Sequence, residues 1–155
     1  MLVLDSDVFL IDRRYQRDAK YPVKRRFLDE LSARGVDRAT TIFNLLEVCG
    51  VLTFNLNDAQ LRTFYSGFTQ RYGVHVLGPQ LPWRAGHAAI DLVAGRTPGV
   101  IFRRVSFGDA LMIVAAESEA RARTLVTWNA SHFIGKTRLA AITPEQWLRR
   151  EGIVP

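Results

Sequence analysis

The stretch that decides the fold is Leu2-Val3-Leu4-Asp5-Ser6-Asp7-Val8, close to the start of the chain. Its short apolar run stops abruptly at a carboxylate, which is typical of a buried strand that ends in a loop. Two interpretations of Asp5 stay open at this point. It could cap a helix that begins near Asp7, or it could project from the carboxyl edge of a sheet, where ligands bind in α/β folds.

Outward from this stretch, short apolar runs alternate with segments of helical periodicity. This alternation predicts an α/β fold with a mostly parallel sheet and helices on its faces. The predicted strands cover residues 74–77, 124–127 and 140–142. The predicted helices cover residues 20–34, 42–54, 83–94 (ended by Gly95), 108–121 and 144–150. A further helix is predicted from Asn57 or Asp58 to Gly73. Residues 99–107 are predicted as a loop or short strand.

Composition limits the class of protein. The 155 residues carry 21 Lys+Arg and 15 Asp+Glu, a net charge of +6, and suit one domain over residues 1–155. Cys49 is the only cysteine, so an intramolecular disulfide and a cysteine zinc site are excluded. Neither a long apolar run nor a signal peptide is evident, so we expect a cytoplasmic protein without a membrane span. The positive charge favours a polyanionic partner.

Glu47 lies in the very apolar helix 42–54. A charge on a buried helix is costly unless it is paired or bound to metal. Asn44 stands three residues earlier and Gly50 three residues later, so the three share one face and form a narrow polar stripe. Either this stripe is a buried functional face, or it simply faces water.

Two further polar residues stand at element boundaries. Asp109 opens the apolar helix from Gly108, and Ser106 stands three residues before it in the S-x-x-D pattern of a capping box. Asn129 follows the strand that ends at Thr127, where asparagine is more often a turn residue than a ligand. Capping and function can coexist at Asp109.

The carboxylates of Asp5, Glu47 and Asp109 would repel one another if they converged at one sheet edge. A divalent Mg²⁺ or Mn²⁺ ion would relieve this repulsion, because both ions take hard oxygen ligands and keep several waters. Such an ion can activate water and neutralise charge at a phosphodiester.

Four motifs in this order resemble those of PIN-domain ribonucleases, especially VapC-type toxins of toxin–antitoxin pairs. The first is Val3-Leu4-Asp5-Ser6-Asp7-Val8, and the second is the helix that carries Asn44 and Glu47. The third is the small-residue-rich helix that starts at Asp109, and the fourth contains Asn129. The ending Ile142-Thr143-Pro144-Glu145-Gln146-Trp147-Leu148 is also similar, so the resemblance covers nearly the whole chain.

This resemblance implies a PIN-like three-layer sandwich with a central, mostly parallel sheet of four to five strands and helices on both faces. It implies a metal-dependent endoribonuclease, the toxin of a toxin–antitoxin system, in which Asp5, Glu47 and Asp109 hold Mg²⁺ or Mn²⁺. It further implies a homodimer and a cognate antitoxin protein. Asn129 stands where many members have Asp, so it would assist without adding negative charge. Asp7 either compensates for the missing charge or only caps a helix.

Arginine pairs adjoin two of these motifs. Arg13 and Arg14 follow the first, and Arg103 and Arg104 precede Asp109. Because guanidinium groups make forked contacts with phosphate, these four residues are candidates for RNA binding, although they could be solvated surface charges. For Trp128 and His132, structural roles are favoured over contacts with RNA.

Two other functions fit parts of the sequence. Asp5-Ser6-Asp7-Val8 matches the D-x-D-x-V motif of haloacid-dehalogenase phosphatases, with Asp5 as nucleophile and Asp7 as general acid/base. However, Ile113 stands where that family has a second acid, and Glu47 would be unexplained. A non-catalytic PIN-like module that binds RNA or protein is the other alternative, which Asn129 mildly favours.

Overall fold

A computed structural model describes residues 1–78 and 90–154. Within these ranges, the strands are β1 (Leu2–Leu4), β2 (Arg38–Thr41), β3 (His75–Leu77), β4 (Thr124–Val126) and β5 (Ala140–Ile142). The helices are α1 (Ser6–Arg13), α2 (Tyr21–Ala33), α3 (Ile42–Leu52), α4 (Asp58–Tyr72), α5 (Thr97–Ile101), α6 (Phe107–Ser118), α7 (Ala130–Phe133) and α8 (Pro144–Arg150). A π-helical segment, Asp91–Arg96, leads directly into α5. No helix of this described part is long and apolar enough to cross a membrane.

The strands form one all-parallel sheet in the order β3-β2-β1-β4-β5. β1 lies at its centre, with Val3 opposite Ala39 of β2 and Leu125 of β4. Because every strand runs in the same direction, all carboxyl ends meet at one edge of the sheet. The order reverses at β1, so the loops after β1 and β4 leave this edge beside each other, the usual position of a ligand crevice.

Alternate residues of the central strands face two separate cores. Val3 and Leu125 pack with α5, α6 and α7, whereas the adjacent Leu4 and Val126 pack with α1, α2, α3, α4 and α8. Successive strand side chains point to opposite faces, so near-continuous apolar runs are buried on both sides. The predicted three-layer α/β sandwich is therefore confirmed.

Most predicted elements are present, and two helix ends confirm the glycine signals. Gly35 and Gly73 follow α2 and α4 with φ values of +59° and +57°. This left-handed conformation is the usual one just after a helix and costs glycine little. Gly95, by contrast, does not adopt a positive φ, and the predicted helix end there is wrong. The chain stays helical through Arg96 and on to Ile101.

The π-helical segment explains why Gly95 does not stop the helix. Thr97 donates its backbone N–H to the carbonyl of Leu92, and its hydroxyl contacts the same oxygen at 2.7 Å. Pro98 then occupies the first turn of α5, where its missing N–H costs little. The predicted loop or short strand at residues 99–107 is therefore wrong for residues 99–101, which lie in α5. Of the predicted helix 83–94, residues 83–89 lie outside the described residues.

A buried ion pair joins three helices behind the sheet. The ammonium group of Lys24 on α2, whose side chain is 1% exposed, contacts the carboxylate of Asp12 on α1. The Tyr72 hydroxyl on α4 donates to the other Asp12 oxygen at 2.7 Å. Burial alone would raise the pKa of Asp12, but the hydrogen bonds from Lys24 and Tyr72 outweigh it, and the pKa is lowered.

We predict that Asp12→Asn destabilises the protein by about 3 kcal/mol at neutral pH, because it leaves a buried ammonium group without a counter-charge. The lowered pKa of Asp12 means that its contribution is present above the ordinary pKa of 3.8 and is lost as the pH falls through the native value. Urea unfolding at neutral pH and near pH 3 measures both effects.

Asp29→Asn is the matched control, since Asp29 on α2 is 73% exposed and lies 4.0 Å from Arg25. We expect it to cost less than about 0.5 kcal/mol. Equal losses in the two variants would contradict the assignment of a stabilising role to the buried pair.

Candidate active site

The candidate site lies at the carboxyl edge of the sheet, where β1 ends at Leu4 and β4 at Val126. Asp5 follows β1 directly and caps α1: its Oδ1 accepts the Ser6 backbone N–H at 2.8 Å. Both interpretations of Asp5 therefore apply at once, because the carboxylate that caps α1 also lies at the sheet edge. Asp5 is only 7% exposed.

Electrostatics make Asp5 unusual among the acids of this chain. Burial raises its pKa far above the ordinary value, and the neighbouring carboxylates of Asp7 and Asp109 raise it further. The Thr127 hydroxyl and, to a smaller extent, the Ser6 N–H lower the pKa but do not offset the rise. Strongly perturbed carboxyl groups of this kind concentrate at functional sites.

Asp7, in the first turn of α1, joins this helix to the end of β4. Its Oδ2 accepts the Thr127 hydroxyl at 2.9 Å and the Trp128 backbone N–H at 2.8 Å. Burial raises its pKa, while these two contacts and the charge of Lys20 lower it in part. The other oxygen, Oδ1, is buried and has no hydrogen-bond partner among the described residues.

Two polar side chains fix the end of β1 from the other side. The Thr40 hydroxyl of β2 donates to the Leu4 carbonyl at 2.7 Å, and the Asn44 amide of α3 donates to the same oxygen at 3.1 Å. Both side chains are essentially buried. They hold the peptide that precedes Asp5 and so set the position of its carboxylate. The role of Asn44 was left open by the sequence, and β2 itself was not predicted as a strand.

Asp109 lies in the first turn of α6 as the capping pattern predicted. Its backbone N–H donates to the Ser106 hydroxyl at 3.2 Å, and that hydroxyl donates back to Asp109 Oδ2 at 2.8 Å. His132 on α7 brings its Nε2 to 3.7 Å from the same oxygen. Asp109 is half-buried and interacts electrostatically with Asp5.

Glu47 lies on the solvent-facing side of its helix. It is exposed on α3, together with Leu46 and Gly50, while Asn44 on the same predicted stripe is buried. Of the two interpretations of this stripe, the solvent-facing one applies to Glu47 and Gly50, and the buried one applies to Asn44. Among the described residues, the Glu47 side chain forms neither a hydrogen bond nor an ion pair.

The structure also places Asn129 and the first arginine pair, Arg13 and Arg14. Asn129 is exposed three residues after the end of β4, and its backbone N–H donates to the Thr127 hydroxyl at 3.1 Å. Arg13 and Arg14 lie at the far end of α1, about 12 Å along the helix from Asp5 at 1.5 Å per residue. There Arg13 packs over the Phe64 ring and Arg14 contacts the Val51 carbonyl.

The chemistry of the aspartates fits a divalent cation. Mg²⁺ is commonly bound through one or two carboxylates and keeps several waters. Asp5 and Asp109 are hard oxygen donors whose mutual repulsion a cation would relieve, and Asp7 Oδ1 adds a buried oxygen without a hydrogen bond. Within residues 1–78 and 90–154, no three or more His, Cys, Asp or Glu side chains lie close enough together to form a complete metal cage.

Comparisons with known proteins support the fold. No family model matches the sequence, and no curated protein matches it. A solved structure of FitAB bound to an IR36 DNA fragment is similar, with a TM-score of 0.62 and 15% sequence identity over 93% of this chain and 95% of the matched chain. At this identity the similarity concerns the fold alone. The chain thus shares its α/β fold, with an all-parallel central sheet and helices on both faces, with this solved structure.

Proposed function

We propose that this protein is a metal-dependent endoribonuclease that hydrolyses phosphodiester bonds of RNA. The observation that carries the proposal is the carboxylate of Asp5 at the carboxyl edge of the sheet, whose pKa is raised mainly by burial and further by the charges of Asp7 and Asp109. Ionised carboxylates persist in such a place when a cation compensates them. The net charge of +6 on the whole chain is consistent with a polyanionic substrate.

In this proposal, Asp5, Glu47 and Asp109 hold Mg²⁺ or Mn²⁺, and Asn129 assists through its uncharged amide. When bound, the ion neutralises charge on the phosphodiester and activates water for in-line attack. The Ser6 N–H holds Oδ1 of Asp5, and in this proposal the other oxygen is the ligand. Ser106 and His132 orient the Asp109 carboxylate. Glu47 enters the site only if its exposed side chain turns towards the sheet edge.

The local hydrogen bonds favour hydrolysis by activated water over an aspartyl-phosphate mechanism. A phosphatase of the haloacid-dehalogenase type would need Asp7 as a mobile proton donor. Asp7 Oδ2 instead accepts two hydrogen bonds, from Thr127 and Trp128, and joins α1 to β4. This arrangement suits a residue that positions the site.

We further propose that the protein is the toxin of a toxin–antitoxin pair, with an antitoxin protein as partner and a homodimer as its assembly. FitAB is a toxin–antitoxin complex whose FitB toxin is a PIN domain. The similar fold over nearly the full length of both chains supports the same role here.

Purified protein should cleave RNA in Mn²⁺, and Asp5→Asn, Asp109→Asn and Glu47→Gln should each lower the rate by about 100-fold or more. Electrophoresis of a labelled RNA measures the rate. Asp29→Asn, on the exposed face of α2, is the matched control and should cleave normally.

If Glu47→Gln cleaves RNA as fast as the wild type, Glu47 is not a metal ligand, and the aspartates alone hold the ion. If the wild type binds RNA but does not cleave it with any divalent ion, the protein is a non-catalytic binding module.

Metal binding can be tested without catalysis. In EDTA, Asp5→Asn should unfold at a higher temperature than the wild type, because it removes a buried charge and retains an oxygen that can cap α1. Mn²⁺ should raise the unfolding temperature of the wild type and have little effect on Asp5→Asn. An equal response of both proteins to Mn²⁺ would place the ion elsewhere.

The toxin role predicts a growth phenotype. Induced expression of the wild type in a bacterium should arrest growth, and Asp109→Asn at the same protein level should not. Growth curves with an immunoblot for protein amount provide the measurement. Equal growth of both strains would argue for a nuclease that is not a toxin.

A further inference from the structure

The turn between α5 and α6 displays two aromatic side chains that the fold does not bury. Phe102 is 83% exposed and Phe107 is 59% exposed. Arg103 and Arg104, between them, are also exposed. Isolated exposed apolar residues are ordinary, but aromatic rings interleaved with arginines form the pattern that binds single-stranded nucleic acid.

The turn is held rigidly. Val105 at its centre is buried in the core beneath α6. Arg103 donates to the Lys136 carbonyl at 3.1 Å, and Lys136 donates in return to the Arg104 carbonyl at 3.1 Å. These reciprocal bonds fasten the turn to the loop after α7, so the aromatic rings are carried on a preorganised backbone.

Arg104 has a backbone conformation that is unusual for a residue other than glycine. Its φ is +61°, in the left-handed region that glycine adopts readily and other residues enter at a cost. Such outliers persist where surrounding structure enforces them, and they concentrate at functional sites. An arginine in this position keeps a cation at a point where glycine would fit with less strain.

The same two segments border the candidate site. Ser106, at the end of the turn, donates to the Asp109 carboxylate, and His132 of α7 lies 3.7 Å from the same oxygen. The turn is therefore directly beside one of the proposed metal-binding acids. An RNA strand that passes Asp109 would meet this surface next.

We propose that Phe102 and Phe107, with Arg103 and Arg104, form a base-stacking surface that holds a single-stranded segment of RNA beside Asp109. The aromatic rings stack on unpaired bases, and the guanidinium groups contact the flanking phosphates. A duplex keeps its base faces covered, so the surface selects single strands. This inference rests on the proposed ribonuclease function for its choice of RNA, but it concerns binding and not cleavage.

The test is binding of a fluorescein-labelled, mixed-sequence RNA of about 12 nucleotides in EDTA, measured by fluorescence anisotropy. A hairpin of the same length is the duplex probe. Phe102→Ala should weaken binding of the single strand about tenfold and leave hairpin affinity nearly unchanged. Phe102→Trp should restore it, because another aromatic ring can stack. Arg104→Gly should weaken binding and reduce its salt dependence.

Phe54→Ala is the matched control. Phe54 is 82% exposed, as much as Phe102, but it follows the end of α3 that points away from the sheet edge. Its replacement should not change RNA affinity. Unchanged affinity in Phe102→Ala, or an equal loss in Phe54→Ala, would overturn the proposal.

Two other outcomes would also overturn it. Equal losses for single strand and hairpin would mean that the surface acts by charge without stacking. If Phe102→Ala converts a dimer to a monomer by light scattering while RNA affinity stays the same, the surface is an interface between copies of this chain. Loss of cleavage with intact binding, by contrast, would count against the proposed function and leave the stacking surface standing.

Discussion

The structure depends on the burial of one carboxylate, that of Asp5, at the carboxyl end of the central strand. The surrounding polar groups hold it there at an electrostatic cost. Thr40 and Asn44 fix the peptide before it, Ser6 holds one of its oxygens, and Asp7 ties the following helix to β4. A buried carboxylate lowers the stability of the folded protein, yet several polar groups hold Asp5 in one position. Function explains this arrangement better than stability does, because stability alone would favour a neutral residue.

Much of this architecture is predictable from local sequence. The short apolar run before Asp5, the glycine after α4 and the capping pattern at Ser106 each depend on neighbouring residues only, and each led to the correct element. β2 was missed because Arg38-Ala39-Thr40-Thr41 has no apolar pattern. Arg38 is nevertheless buried, since its guanidinium group donates to the Tyr72 carbonyl at 2.9 Å and to Ser32 at 2.9 Å. Tyr72 lies 34 residues away in the sequence, so a local pattern does not reveal this contact.

The candidate site was predictable in part for the same reason. A strand end identifies Asp5, and a helix start identifies Asp109. By contrast, the exposure of Glu47 depends on which side of α3 packs against the protein, and an almost uniformly apolar helix does not specify that. Thr127 and Thr40 carried no distinctive signal, because a threonine at a strand end is common, and only the partner atom reveals its role.

The buried contact of Asp12, Lys24 and Tyr72 has a consequence for how this sequence can change over generations. Each of the three residues comes from a different helix, and each compensates the desolvation of another. Replacing one alone leaves a polar group stranded, whereas replacing all three by apolar residues of similar volume can preserve stability. The cluster is therefore expected to vary as a set among related chains, so that an acidic residue at position 12 and a lysine at position 24 appear or disappear together.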